Sequence, residues 1–152
     1  MFGLLLGIAS LSARPDANAR LKRDADRLAA LFTLAAEEAE LRARPLAWQA
    51  SAQGYVFLQA DRDAREGWSV FTADDEFRSR SWDAGTVRMV LEPALLPATR
   101  RGDRPQGWIE FPRDGSQPPF VLRLQAVDAD PGSAGWIVRA SGRGTYAVEA
   151  PQ

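Results

Sequence analysis

Hydrophobic and polar positions divide the chain into three stretches. Met1 to Ser12 are almost wholly apolar. From Leu21 the apolar residues recur as Leu21, Ala25, Leu28, Phe32, Ala35 and Ala39. Those steps of four, three, four, three and four mark one face of a helix. Leu31, Leu34 and Leu41 widen the stripe, and Arg20, Arg23, Asp24, Arg27, Glu37 and Glu40 fall opposite. Asp16, just after Pro15, is placed to cap the start. Arg42-Ala43-Arg44 puts positive charge where the helix dipole favours it, and Pro45 stops the helix. The pattern predicts a helix from about Ala17 to Ala43. Pro15 either kinks one long helix or separates two.

After Pro45 the helical period is lost. Short β-rich runs follow, separated by Gly, Pro, Asp and Ser. Leu46–Ala50 and Tyr55–Gln59 flank Ser51-Ala52-Gln53-Gly54 and predict a hairpin. Further strands are expected at Trp68–Phe71, Phe77–Trp82, Thr86–Leu91, Gly107–Phe111, Phe120–Leu124, Trp136–Arg139 and Thr145–Val148. Pro93 to Gln106 reads as the longest loop, Pro112–Ser116 and Gly142–Gly144 as turns. Helix ends before strands begin, so the fold class is α+β with antiparallel sheet. Trp48, Phe57, Trp68, Trp82 and Trp108 read as core or sheet-face residues.

Composition narrows the chemistry. The 152 residues suit one domain with an appendage, and apolar residues at 45% allow a real core. There is no cysteine and no histidine. Disulfides, thiolate metal sites and triads built on Cys or His are therefore excluded. A net charge of −1 argues against a protein whose main task is neutralising phosphates.

No pattern reads as an active site. Asp74-Asp75-Glu76 lacks the spacing and turn glycine of a calcium loop and reads as a solvated turn. Asp61-Arg62-Asp63 and Asp128-Ala129-Asp130 are similar loop acids. Ser141-Gly142-Arg143-Gly144 precedes a strand, so it is no phosphate loop. Arg123, Arg139 and Arg143 make a small local excess of positive charge.

The apolar start is about 18 Å long as a helix, too short for a hydrocarbon core of about 30 Å. It lacks the basic flank of a cleavable signal. It reads either as a buried helical turn or as the second half of a longer membrane helix.

The segment Asp24 to Trp48, DADRLAALFTLAAEEAELRARPLAW, resembles the helix-to-first-strand region of the H-type minor pseudopilins of type II secretion, the GspH/FimT family of pilin-like proteins. GYVFLQ (Gly54–Gln59), GWSVF, DDEFRSRSWDAGTVRMVL and IEFPRDGSQPPFVLRL (Ile109–Leu124) resemble its later strands in the same order. The resemblance runs from about Leu21 to Tyr146.

It implies a pilin-like fold, a long N-terminal helix packed on a two-sheet antiparallel domain. Residues 1–13 would be the distal part of a membrane and filament helix, 14–44 its amphipathic continuation and 45–152 the globular domain. Phe2, Leu4, Leu5, Leu6, Ile8 and Leu11 would pack in membrane and filament. Gly3 and Gly7 have the spacing that permits close helix approach. Leu21, Leu28, Phe32, Ala35 and Ala39 would pack helix on sheet. The family's leader, its Gly-Phe-Thr-Leu-x-Glu motif and its methylated N-terminus have no counterpart here, so Met1 is expected to stand inside the original helix.

The resemblance further implies no enzyme activity and no cofactor. It implies a single-pass inner-membrane protein with a periplasmic domain. The partners would be other minor pseudopilins, contacted at the tip, the major pseudopilin, the inner membrane and, as a further candidate, secreted substrates, with nucleic acid not expected. Two alternatives stay open at this point. One is a FimT-like minor pilin binding DNA through Arg139 and Arg143, against which the acidic balance argues. The other is an extracytoplasmic glycan-binding β domain using exposed Trp.

Overall fold

The computed structural model describes residues 3–92, 107–127, 135–142 and 144–151, with side chains from residue 16 onward. The loop expected from Pro93 to Gln106 lies outside the described residues, as do Asp128-Ala129-Asp130.

A single helix, α1, runs from Gly3 to Arg42 without a break. The expectation that a helix begins after Pro15, capped by Asp16, is thereby corrected. Proline's fixed φ is compatible with a helix, although inside one it removes a backbone bond and crowds the carbonyl four residues back. The Leu-rich run before it is itself helix-forming, so the helix carries through. Asp16 is an internal position that pairs with Arg20 one turn on, at 2.9 Å. At the other end Ala43 takes a positive φ of 50°. Arg44 N–H donates to the Ala39 carbonyl and Ala43 N–H to that of Glu40, both at 3.1 Å. This is a Schellman stop, with alanine in the left-handed position that glycine usually fills.

Nine strands follow: β1 (Leu46–Ala50), β2 (Gly54–Ala60), β3 (Trp68–Val70), β4 (Arg80–Ser81), β5 (Val87–Glu92), β6 (Gly107–Phe111), β7 (Phe120–Ala126), β8 (Trp136–Ala140) and β9 (Tyr146–Glu149). They form two antiparallel sheets. The first has the order β3-β2-β1-β6, with β4 also paired to β2. The second has the order β5-β7-β8-β9. A Cβ at position 54 would overlap the Arg80 carbonyl, so glycine there is what lets β4 close on β2.

The strand expected at Phe77–Trp82 is largely replaced. Asp75–Phe77 form a 3-10 turn, for which the Asp74 carboxylate accepts the Glu76 N–H. Only Arg80–Ser81 pair as a strand. The local cap prevails over the strand reading, and both Phe77 and Trp82 are buried in the core.

The core lies between α1 and the inner faces of both sheets. Leu21, Ala25, Leu28, Leu31, Phe32, Ala35 and Ala39 are buried. Helix α1 packs on β7, β8 and β9 of one sheet and on β1 and β6 of the other. Phe32 is the shared contact. Its ring lies 5.3 Å from Trp48, 5.5 Å from Phe111, 6.0 Å from Phe120 and 5.8 Å from Tyr146, centroid to centroid. Trp48 and Phe111 belong to the first sheet, Phe120 and Tyr146 to the second. One phenyl ring thus ties three layers together.

A second apolar cluster sits on the outer face of the first sheet. It joins Ala47, Leu58 and Trp108 with Val56 and Trp68. The Trp68 and Trp108 rings meet edge-on at 5.3 Å. Alternation along β1, β2 and β6 explains it, because neighbouring residues face opposite sides.

Candidate functional site

The polar joint between helix and sheets is built on Asp24. It is 1% exposed. Its two carboxylate oxygens accept the backbone N–H groups of Asp83 and Ala84, each at 3.0 Å. Arg27 stands 4.0 Å from Asp24 and 3.5 Å from Asp83. Burial pushes the Asp24 carboxyl above its ordinary range; the two N–H donors oppose that shift. The reading of Asp24 as part of the solvent face is corrected here. It sits three residues after Leu21 and four before Leu28, which places it on the buried stripe. Its partners lie about sixty residues away in sequence, so no local pattern announces them.

A second polar contact fastens the same half of α1. The Trp136 indole N–H donates to the Asn18 side-chain oxygen at 2.9 Å, and the Lys22 ammonium lies 5.8 Å from the Trp136 ring centre. Sequence reading missed this contact too, since Trp136 and Asn18 meet only through the packing of β8 on α1.

Leu4, Leu5, Leu6, Ile8 and Leu11 lie on the helical backbone of α1, on the segment that precedes the sheet contacts. Phe2 lies outside the described residues. Among the described residues no helix is long and apolar enough to cross a membrane.

Arg139, the candidate DNA contact, is already engaged. Its guanidinium grips Glu149 with two bonds, at 2.6 and 3.2 Å. The pair holds the Glu149 carboxyl below its ordinary range. Arg143 lies outside the described residues, so the two arginines are not brought together here. The described loop acids serve their own turns. Asp61 accepts the Asp63 N–H, Asp74 that of Glu76, and Asp114 that of Ser116.

Two shallow clefts accompany these features. One of about 450 Å³ is lined by the β1–β2 turn and Ser79–Ser81, with Arg80 its charged residue. The other, of about 430 Å³, lies between Ala50–Ala52 and Val87–Met89, with Arg88 its charged residue. Tyr55 lines the first, and burial pushes its phenol up to about 12, so it is a neutral hydroxyl at physiological pH. Neither lining offers a carboxylate to pair with another, and an arginine beside serines holds a polar group without activating one.

An uninterrupted helix with a two-sheet antiparallel domain packed against it defines a pilin-like fold. The model of the family "Type II transport protein GspH" matches residues 24–144, and the chain belongs to that family. It is an H-type minor pseudopilin of the type II secretion system.

Solved structures share the fold. Two structures of the minor pseudopilin EpsH from the type II secretion system of Vibrio cholerae are similar. One has 22% identity and a TM-score of 0.64, covering 87% of this chain and 96% of that one. The other has 20% identity and a TM-score of 0.67, covering 89% and 96%. The solution structure of Escherichia coli GspH gives 22% and 0.60, covering 89% and 91%. No curated protein matches the chain by sequence.

Proposed function

We propose that the chain works as a structural subunit at or near the tip of the type II secretion pseudopilus, where it assists pseudopilus assembly and protein export. One observation carries this reading: α1 runs without a break from the sheet domain into the apolar segment at its N-terminus. A rigid connection of that kind suits a subunit whose helix packs among other helices while its domain projects outward. In this reading residues 1–13 belong to a single-pass inner-membrane helix that moves from lipid into the filament. The domain stands in the periplasm, and the partners are the other minor pseudopilins and the major pseudopilin. Leu4, Leu5, Leu6, Ile8 and Leu11 supply the packing surface, with Phe2 before them.

The experiment is a clean deletion of the gene in its host, followed by assay of the exoproteins in the medium. Loss of secretion, restored by the full-length gene in trans, supports the role. Normal secretion overturns it. The DNA-binding alternative has less to stand on, because Arg139 is neutralised by Glu149.

A further inference from the structure

We propose that the outer face of the four-stranded sheet, centred on Arg123, docks a neighbouring subunit that presents a carboxylate framed by apolar side chains. This rests on the reading of the chain as a pseudopilus subunit and names the surface it would use.

Strand register builds the face. Val90, Arg123, Ile137 and Glu149 lie directly abreast on β5, β7, β8 and β9. Val121 and Arg139 form part of the next row. Their sequence neighbours Leu122, Leu124 and Val138 are buried on the helix side, so this set points away from α1. Docking here does not compete with helix packing.

Arg123 has no ion-pair partner among the described residues, and its stem is already laid down on the sheet. A Cβ at Gly135 would lie 2.9 Å from its Cγ, which means the arginine stem is laid across that glycine. Valine and isoleucine flank it on both adjoining strands. The other arginines of the face are spoken for: Arg139 holds Glu149, and Arg88 donates to the Val127 carbonyl at 3.1 Å. Among the described residues no carboxylate comes within ion-pair distance of Arg123. A half-buried arginine with a packed stem and apolar neighbours is the composition of an interface centre. The laid-down stem also lowers the ordering cost of binding.

The chemistry selects the occupant. A second copy turned onto the same face about a two-fold axis would bring Arg123 against Arg123. A nucleic acid would meet Glu92 and Glu149 at the rim and exposed Val90 near the centre, none of which favours phosphate. A protein surface with a carboxylate among apolar groups answers each feature.

The test uses the 152-residue chain and four immobilised probes: the periplasmic domains of the other minor pseudopilins, that of the major pseudopilin, a short random-sequence DNA duplex and the chain itself. We expect the wild type to bind one pseudopilin domain. Arg123→Glu should weaken that binding about tenfold or more, Arg123→Lys a few-fold, and Arg113→Glu, on the β6–β7 turn, not at all. Reversing the partner's carboxylate to arginine should restore binding to Arg123→Glu. Unchanged circular dichroism and melting guard against misfolding, and Arg123→Gln gives a milder second variant. Pseudopilin binding that survives Arg123→Glu overturns the surface but leaves the subunit role intact. So does an effect confined to DNA or to self-association. Absence of any pseudopilin binding overturns the surface, and together with normal secretion in the deletion strain it overturns the role as well.

Discussion

Around Phe32, α1 meets both sheets through apolar packing, with four aromatic rings around the Phe32 ring. Around Asp24, two turns nearer its N-terminus, it meets a single turn of chain through two hydrogen bonds. The first joint is non-directional and scales with the area removed from water. The second is directional and stands or falls with two oxygens. A helix fixed by apolar packing alone could slide or rotate slightly within its groove. One fixed also by Asp24 cannot turn without stranding the Asp83 and Ala84 N–H groups, which are costly to leave unpaired.

Substitutions separate the two joints. Phe32→Ala removes a ring in contact with four others and should cost about 3–5 kcal/mol. Urea unfolding would show it, and a loss below about 1.5 kcal/mol would contradict the bridging role. Asp24→Ala leaves two part-buried donors without an acceptor and should cost about 1–3 kcal/mol. Asp24→Asn should cost less, since one carbonyl oxygen still accepts.

Comparing the wild type with Asp24→Asn also gives a pH signature. A carboxyl whose folded pKa is raised favours folding when protonated. The wild type should therefore gain stability relative to Asp24→Asn as pH falls from neutral toward the ordinary value of 3.8, and gain no more below it. Parallel melts at several pH values would check this; a difference that narrows in the opposite direction refutes it.

Smaller effects lie at the ends of the domain. Ala43→Gly should raise stability by up to about 1 kcal/mol, because glycine holds the left-handed stop without the Cβ penalty. Thermal melting would read it as a small rise in Tm. Glu149→Gln should have the smallest effect on folding, through an exposed pair. The depressed Glu149 carboxyl supports folding above its unfolded pKa, and that support fades as pH drops through the folded value. The variant should therefore approach the wild type in acid.

The same comparison shows what sequence reading reached. The steps from Leu21 to Ala39 print the buried stripe directly, because a helix repeats its environment every three or four residues. The α+β class and the antiparallel runs are equally local. Asp24 is not, since its polarity reads as solvent exposure and its partners come from another part of the chain. Pro15 and Asp16 carry a sound start signal that the Leu-rich run upstream overrides. Phe77 and Trp82 bound a short polar run that reads as a strand, yet a three-residue 3-10 turn at its start lets both face the core. Which strands join which sheet, and hence that Arg123 lies between Val90 and Ile137, depends on pairings that no single segment encodes.

The unbroken course of α1 couples its two ends like meshed gears. Each residue of a helix advances the chain about 1.5 Å and turns it about 100°. The azimuth of Leu4 or Ile8 about the axis is therefore set by where Asp24 and Phe32 grip the sheets. Inserting one residue between Arg14 and Arg23 would swing the apolar segment by about 100°, and inserting three or four would bring it nearly back into phase. The sheet domain thus dictates the direction in which the apolar segment faces.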